Sequence, residues 1–301
     1  MANIKIQPDM VVQSSGVTDV FSDSFDRTWF NMLPEDQKEK KEFSATPFEL
    51  EIGVDDGSVN YIYNSDRFRC DEFGFNNSKY HIVFGGCSET EGVGGNLEES
   101  WSYKLYLNLK EKYDIGGYYS LGKSGNGWHK IALSLIEYAN RYGAPTHFFV
   151  MLPNIGRNFY WNKDNKRWKY DQKYVYAGTG DSPYGKENII DEDEHKRQFI
   201  EFAVGWKIFY NYCKSNNIKL LYSTWDLEEN SNLLMYDNQH QCFHQLGTDK
   251  DLQGFIESKY PDLKLPQRAL KKRDGHKGDI IHEYWKDCFL KAIKTRGLFN
   301  D

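Results

Sequence analysis

Paired cysteines are missing from this sequence. Five cysteines occur in 301 residues, Cys70, Cys87, Cys213, Cys242 and Cys288, and no two share a CxxC spacing. An odd count without CxxC pairs argues against a disulfide framework and for a reducing compartment. Long apolar runs are missing too: none reaches the roughly 18 residues that a membrane span needs, so no membrane partner is expected. The opening MANIKIQPDMVVQSSG lacks a basic-then-apolar leader. No secretion signal is therefore expected, and the product reads as cytoplasmic or virion-associated. A concentrated basic face is also absent. The net charge is −6, and the run Lys271, Lys272, Arg273 reads as a solvated loop edge, which argues against nucleic acid as a partner. Metal-ligand clusters are scarce: His240 and His244 have a ligand-like gap but no obvious third partner, so no metal is expected. No internal repeat or low-complexity tract occurs.

What is present is the composition of an ordinary soluble globule, 39% apolar and 27% charged, with aromatics at 16%. A chain of this length buries roughly three quarters of its unfolded surface. Residues 1–60 read as an N-terminal arm or small subdomain, with an exposed linker at 35–43 and a short hairpin somewhere in 47–75. Residues 61–301 read as the main domain, with insertions at about 157–190 and 226–265.

Its units alternate. HIVF at 81–84 is a strand, followed by a helix over 98–112 with Asn96 and Glu99 as a capping box and Trp101, Leu105 and Leu109 on one face. A short strand falls near 117–121. A helix over 128–141 carries Ile131, Ala132, Leu135, Ile136 and Ala139. THFFVML at 146–152 is a buried strand. A helix capped by Asp191 and Glu194 runs to about 214 with Phe199, Phe202, Trp206 and Phe209 inward, and IKLLYSTW at 218–225 is the next strand. A helix at 249–258 interrupts an otherwise irregular stretch, and a last helix covers 279–294. Strand, helix, strand, helix, strand implies a parallel sheet covered on both faces: an α/β, three-layer α/β/α sandwich.

Two sites could stand after the first strand. The formal P-loop pattern from Gly117 to Ser124 holds Tyr, Tyr, Ser and Leu at its centre, and Gly125 and Gly127 follow Lys123 where a helix should begin. That composition suits a strand and a glycine turn better than a phosphate cradle. The alternative is a nucleophile turn in FGGCSETEG, with Ser88 as the nucleophile. A serine needs a base. Arg273-Asp274-Gly275-His276, just before the last helix, offers a carboxylate able to orient an imidazole. Asp279 and His282 form a competing pair, both expected on the last helix. Cys87 beside Ser88 reads as a small buried hydrophobe under the turn.

This order of blocks resembles the SGNH/GDSL-type hydrolases, in a divergent branch met in viral and bacterial genomes. The likeness runs from about 60 to 294 with unmatched insertions. It rests on FGGCSETEG, on NSDRFRCDEFGF before it and GNLEESWSYKL after it, on YSLGKSGNG, and on the final acid and histidine. It implies a flavodoxin-like fold, a Ser88–His276–Asp274 triad, and an oxyanion hole from the amides of Ser88 and Gly125 with the Asn154 side chain. It implies no cofactor. The sequence departs from the family pattern in three places. One residue separates Asp274 from His276 instead of two. Pro-Asn-Ile-Gly-Arg replaces Gly-x-Asn-Asp. Glu89 stands where a small or aromatic residue is usual. Glu89 and Arg157 are candidate substrate-facing residues, as are Tyr160, Trp161 and Trp168 of an aromatic insertion suited to stacking on sugar rings. The implied activity is a serine esterase acting on a small ester or acylated glycan, an O-acetyl group on a carbohydrate being the leading substrate. A non-catalytic carbohydrate-binding protein and a virion or assembly protein, with a homo-oligomer or virion partner, remain as alternatives.

Overall fold

The computed structural model describes residues 38–42, 58–74, 77–155, 157–162, 167–172, 192–225, 230–237, 242–247, 249–259 and 276–299. Its strands are β1 Lys38–Glu42, β2 Ser58–Ile62, β3 Ile82–Gly86, β4 Tyr119–Gly122, β5 His147–Leu152, β6 Arg157–Asn162, β7 Arg167–Gln172 and β8 Lys219–Thr224. Its helices are α1 Ser88–Glu91, α2 Trp101–Lys110, α3 Trp128–Tyr142, α4 Glu192–Ser215, α5 Asn230–Asp237, α6 Asp249–Lys259 and α7 Asp279–Arg296.

The central sheet has the order β4-β3-β5-β8, and every neighbouring pair is parallel. A parallel bridge between Tyr222 and Phe243 extends it beyond β8. Counted along the chain this is the doubly wound order 2-1-3-4, with the turnover between β3 and β5. Side chains alternate across the strands as a twice-covered sheet requires. Val83, Phe148, Val150, Leu220 and Tyr222 pack against Leu135, Phe202, Trp206 and Phe209 of α3 and α4. Phe84, Phe149, Met151 and Leu221 pack against Trp101, Leu105, Trp285 and Phe289 of α2 and α7. The expected three-layer α/β/α sandwich is what the chain forms. Among the described residues no helix is long and apolar enough to cross a membrane.

Three local expectations are corrected. The stretch 35–43, read as an exposed linker or an arm, contains β1, which pairs antiparallel with β2, so the linker alternative falls and the hairpin begins outside 47–75. Asn96 caps only a 3-10 turn at Leu97–Glu99; α2 starts at Trp101, where the Ser100 hydroxyl accepts the Tyr103 N–H. The capping-box spacing was present, but Ser100 is the residue whose oxygen reaches an orphan amide. The stretch read as irregular over 226–265 apart from one helix also holds α5.

Burial also builds in a pH response. His81, His129, His147 and His244 all have pKa values lowered by burial from 6.5 to about 4. His147 is 1% exposed, and its Nε2 meets the Leu298 carbonyl at 2.9 Å. The unfolded chain takes up these protons first as pH falls, so the stability they contribute is complete above pH 6.5. It is lost between 6.5 and about 4. For His147 alone this is on the order of 3 kcal/mol. Urea midpoints measured from pH 8 to pH 4 are expected to drop across that window; a flat profile would contradict this reading.

Candidate active site

The four strands of the sheet end level with one another: Gly86 pairs with Gly122 and with Met151, and Met151 pairs with Ser223. The segments that start at Cys87, Lys123, Pro153 and Trp225 therefore leave the same edge of the sheet. At the carboxyl ends of the strands, beside the turnover, an open α/β sheet leaves a crevice. Ser88 enters at this point.

The turn that carries Ser88 depends on close packing. Cys87 caps α1, and Gly92 ends it in the left-handed region with φ 75°. A Cβ on Gly86 would lie 1.9 Å from Thr90 Oγ1, and one on Gly122 would lie 2.6 Å from the Glu91 amide nitrogen. Only glycine lets α1 sit this close to the two strand ends. Cys87 is fully buried, and its Sγ accepts the Trp225 indole N–H at 3.3 Å, so it is the buried hydrophobe expected. Thr90 Oγ1 accepts the Trp101 indole N–H at 3.3 Å. Ser88 differs from both neighbours. It is 8% exposed, and its hydroxyl makes no hydrogen bond with any described residue, His276 included.

Glu91 ties α1 to the next loop. Its Oε2 accepts the Ser124 N–H at 2.6 Å and the Ser124 hydroxyl at 2.8 Å, and its Oε1 accepts the Tyr63 hydroxyl at 3.2 Å. Arg69 donates to the carbonyls of Gly92 at 2.7 Å and Gly95 at 2.9 Å, holding the far side of the same loop. Lys123–Asn126 is a β-turn closed by Asn126 N–H to the Lys123 carbonyl at 3.1 Å, with Gly125 at φ +77°. That is the position where a type II turn favours glycine. The Lys123 ammonium donates to the Arg67 carbonyl at 2.8 Å. The lysine of the formal P-loop pattern is thus spent on the fold, in keeping with a strand and a glycine turn.

Glu89 ties α1 to the segment before α7. His282 is fully buried, and its Nδ1 accepts the backbone N–H of Trp101 at 3.1 Å. A nitrogen that accepts carries no proton, so the ring is neutral with its hydrogen on Nε2. Nε2 lies 3.5 Å from Glu89 Oε2. The Lys277 N–H reaches the same oxygen at 3.4 Å. Burial pushes the Glu89 carboxyl up, but the His282 hydrogen bond, with His276 and Lys277 nearby, outweighs it and holds the carboxyl below its ordinary range. Glu89 is therefore a buried carboxylate facing His282 and Lys277.

The sequence candidates are distributed as follows. Ser88, Glu89, Gly125 and Asn154 all lie at the C-terminal edge of the sheet, and the half-buried His276 lies beside Glu89. Asn154 follows β5 and is 8% exposed. Asp274 lies outside the described residues. Arg157, Tyr160 and Trp161 are on β6 and Trp168 is on β7, with Trp161 directly opposite Trp168 in an antiparallel pair. Asp279 and His282 are both on α7, as expected. Asp279 makes an ion pair with Lys104 at 2.9 Å, while His282 turns to Trp101 and Glu89. Sequence reasoning missed the roles of Glu91, Ser124, Arg69 and His282. His282 left one signal: it falls on the stripe of Trp285, Phe289 and Ile293, where a polar ring needs a partner.

No protein-family model matches the chain, and no curated protein matches it. Among solved structures, a psychrotrophic esterase from Pseudoalteromonas sp. inhibited by monoethylphosphonate is 13% identical, with a TM-score of 0.43, over 72% of this chain and 98% of that one. An acetyl xylan esterase is 17% identical, with a TM-score of 0.44, over 71% of this chain and 99% of that one. A second acetyl xylan esterase, from the rumen bacterium Butyrivibrio proteoclasticus, is 13% identical, with a TM-score of 0.43, over 75% and 66%. Scores in this range assign neither a family nor a reaction.

Proposed function

We propose that this protein is a serine esterase of the SGNH/GDSL type that hydrolyses a carboxylic ester through an acyl-enzyme, with an O-acetyl group on a carbohydrate as its substrate class. The observation that carries the reading is the setting of Ser88. A hydroxyl with no partner among the described residues follows a strand at the sheet's turnover. The next residue, Glu89, touches the segment that holds His276.

In this reading His276, oriented by Asp274, takes the Ser88 proton. The serine oxygen attacks the ester carbonyl, forming the C–O bond of a tetrahedral intermediate. Collapse expels the alcohol, which receives the proton from His276. Water then attacks the acyl-enzyme, giving its proton to His276, and the carboxylic acid leaves as Ser88 regains a proton. The backbone N–H groups of Ser88 and Gly125 donate to no described residue, which leaves them available to a developing oxyanion. The Asn154 amide is the third donor. Hydrogen bonds of this kind are often long in unliganded sites and tighten on substrate.

The test is hydrolysis of nitrophenyl acetate and of acetylated xylo-oligosaccharides, with mass-spectrometric mapping of a fluorophosphonate adduct. Labelling at Ser88 that requires His276 supports the reading. Absence of labelling with retained glycan binding would favour a carbohydrate-binding protein instead. Asn154→Ala is expected to lower kcat by about 10²–10³ with the fold intact, as removal of one oxyanion donor does. An unchanged kcat would remove Asn154 from the site.

A further inference from the structure

Two buried carboxylates follow the candidate nucleophile within the four residues of α1. Glu91 is tied to the Ser124–Gly125 turn by two short hydrogen bonds. Glu89 faces the other way, toward α7 and the segment before it. A carboxylate beside a developing oxyanion would oppose it if it faced the same space. The geometry of Glu89 removes that objection, because its oxygen is aimed at His282 Nε2, 3.5 Å away, and at the Lys277 amide, 3.4 Å away.

We propose that Glu89 is a positioning residue: its buried carboxylate, braced by His282, tethers the His276–Lys277 segment to α1 and so sets the approach of His276 to Ser88. The proposal rests on the esterase reading for its catalytic consequence, though the tether itself does not. The brace is well anchored. His282 is held by the Trp101 amide at the start of α2, and the indole of Trp101 bonds to Thr90 of α1. Trp101 also stacks on Phe289 of α7, with ring centres 4.6 Å apart. Three elements, α1, α2 and α7, thus close around one carboxylate. With Nδ1 accepting the Trp101 amide, a neutral His282 carries its hydrogen on Nε2, the nitrogen that faces Glu89 at 3.5 Å. Among the described residues, the ionisable groups facing Glu89 are His282, His276 and Lys277. The Lys277 amide belongs to the residue next to His276, so a shift of the carboxylate moves the backbone that carries the imidazole. A misplacement of about 1 Å at such a point can cost about 10²-fold in rate.

The test compares the full chain with Glu89→Gln and Glu89→Asp. Gln keeps the shape and loses the charge; Asp keeps the charge and withdraws it by one methylene. Thermal unfolding establishes that each variant is folded. Hydrogen exchange of the Lys277 amide and the NMR titration of the His276 ring are then read, with Ser88 labelling in parallel. The Lys277 amide is expected to be protected in the wild type and to exchange at least about tenfold faster in both variants. His276 is expected to titrate at lower pH in Glu89→Gln, which removes a negative neighbour, and to move less in Glu89→Asp. For ester hydrolysis, kcat is expected to fall about 100-fold with KM within about threefold of wild type. Exchange and titration identical to wild type in a folded Glu89→Gln would overturn the tether. An intact tether in a wild-type protein whose Ser88 never reacts would instead overturn the esterase reading and leave the tether standing.

Discussion

Ser88→Ala is expected to abolish ester hydrolysis and covalent labelling, with kcat falling by about 10³-fold or more while the unfolding temperature stays near that of the wild type. The size follows from the lack of any substitute. Cys87, the adjacent thiol, is fully buried under the turn and bonded to Trp225. Thr90, the nearest other hydroxyl on α1, is fully buried and engaged by the Trp101 indole. Neither can reach an ester without undoing the packing that places α1. Stability should be spared for the same reason, since the Ser88 hydroxyl supports no hydrogen bond among the described residues. Initial rates on nitrophenyl acetate, with intact-mass detection of a phosphonate adduct, measure this. A variant that retains full activity would remove Ser88 from the chemistry.

The second large effect is expected from Gly122→Ala and Gly86→Ala. Neither glycine has a positive φ, so backbone strain is not the issue; close approach is. The added methyl at 122 would sit 2.6 Å from the Glu91 nitrogen and 2.7 Å from the Thr90 carbonyl carbon, both backbone atoms that cannot rotate away. At 86 it would sit 1.9 Å from Thr90 Oγ1, with the Met151 carbonyl oxygen 3.0 Å away. Relief requires α1 to move off the strand ends, and Ser88, Glu89 and Glu91 move with it. Overpacking of this kind destabilises by about 1–3 kcal/mol, and the loss of activity should exceed what that destabilisation explains. Gly85→Ala is the control: its methyl would press on Leu135 Cδ1 at 2.9 Å, the tip of a side chain that can shift. Urea unfolding and initial rates on the three variants measure both effects. Equal behaviour of all three would contradict the account of the turn.

Much of this arrangement was legible in the sequence, for reasons that differ by residue. The three long sheet strands announce themselves because both faces are covered, so HIVF, THFFVML and IKLLYST read as continuous apolar runs. Helix α3 shows its apolar stripe, and both α3 and α7 begin where expected. The α2 cap was misread because two motifs overlap, and the Asn96–Glu99 spacing outranks Ser100 when only spacing is visible. β1 escaped because KEKKE has the composition of a solvated segment, and its pairing with β2 is a tertiary fact. At the site, the rule that loops after parallel strands share an edge brings Ser88 and the late loop together, whereas Gly125 and Asn154 were legible only through the resemblance to the SGNH/GDSL-type hydrolases. The Glu89–His282 contact could not be read in this way. It joins residues from opposite ends of the domain, and nothing local says that the glutamate after Ser88 turns back into the core.

The central claim is that one hydroxyl and one imidazole, far apart in the chain, meet at the carboxyl edge of the sheet. A crystal structure of the protein after reaction with an alkyl fluorophosphonate tests it most directly. The account predicts a covalent adduct on Ser88 Oγ, with a ring nitrogen of His276 within about 2.6–3.2 Å of that oxygen. An unmodified Ser88, or an adduct with His276 turned away across the sheet, would contradict it.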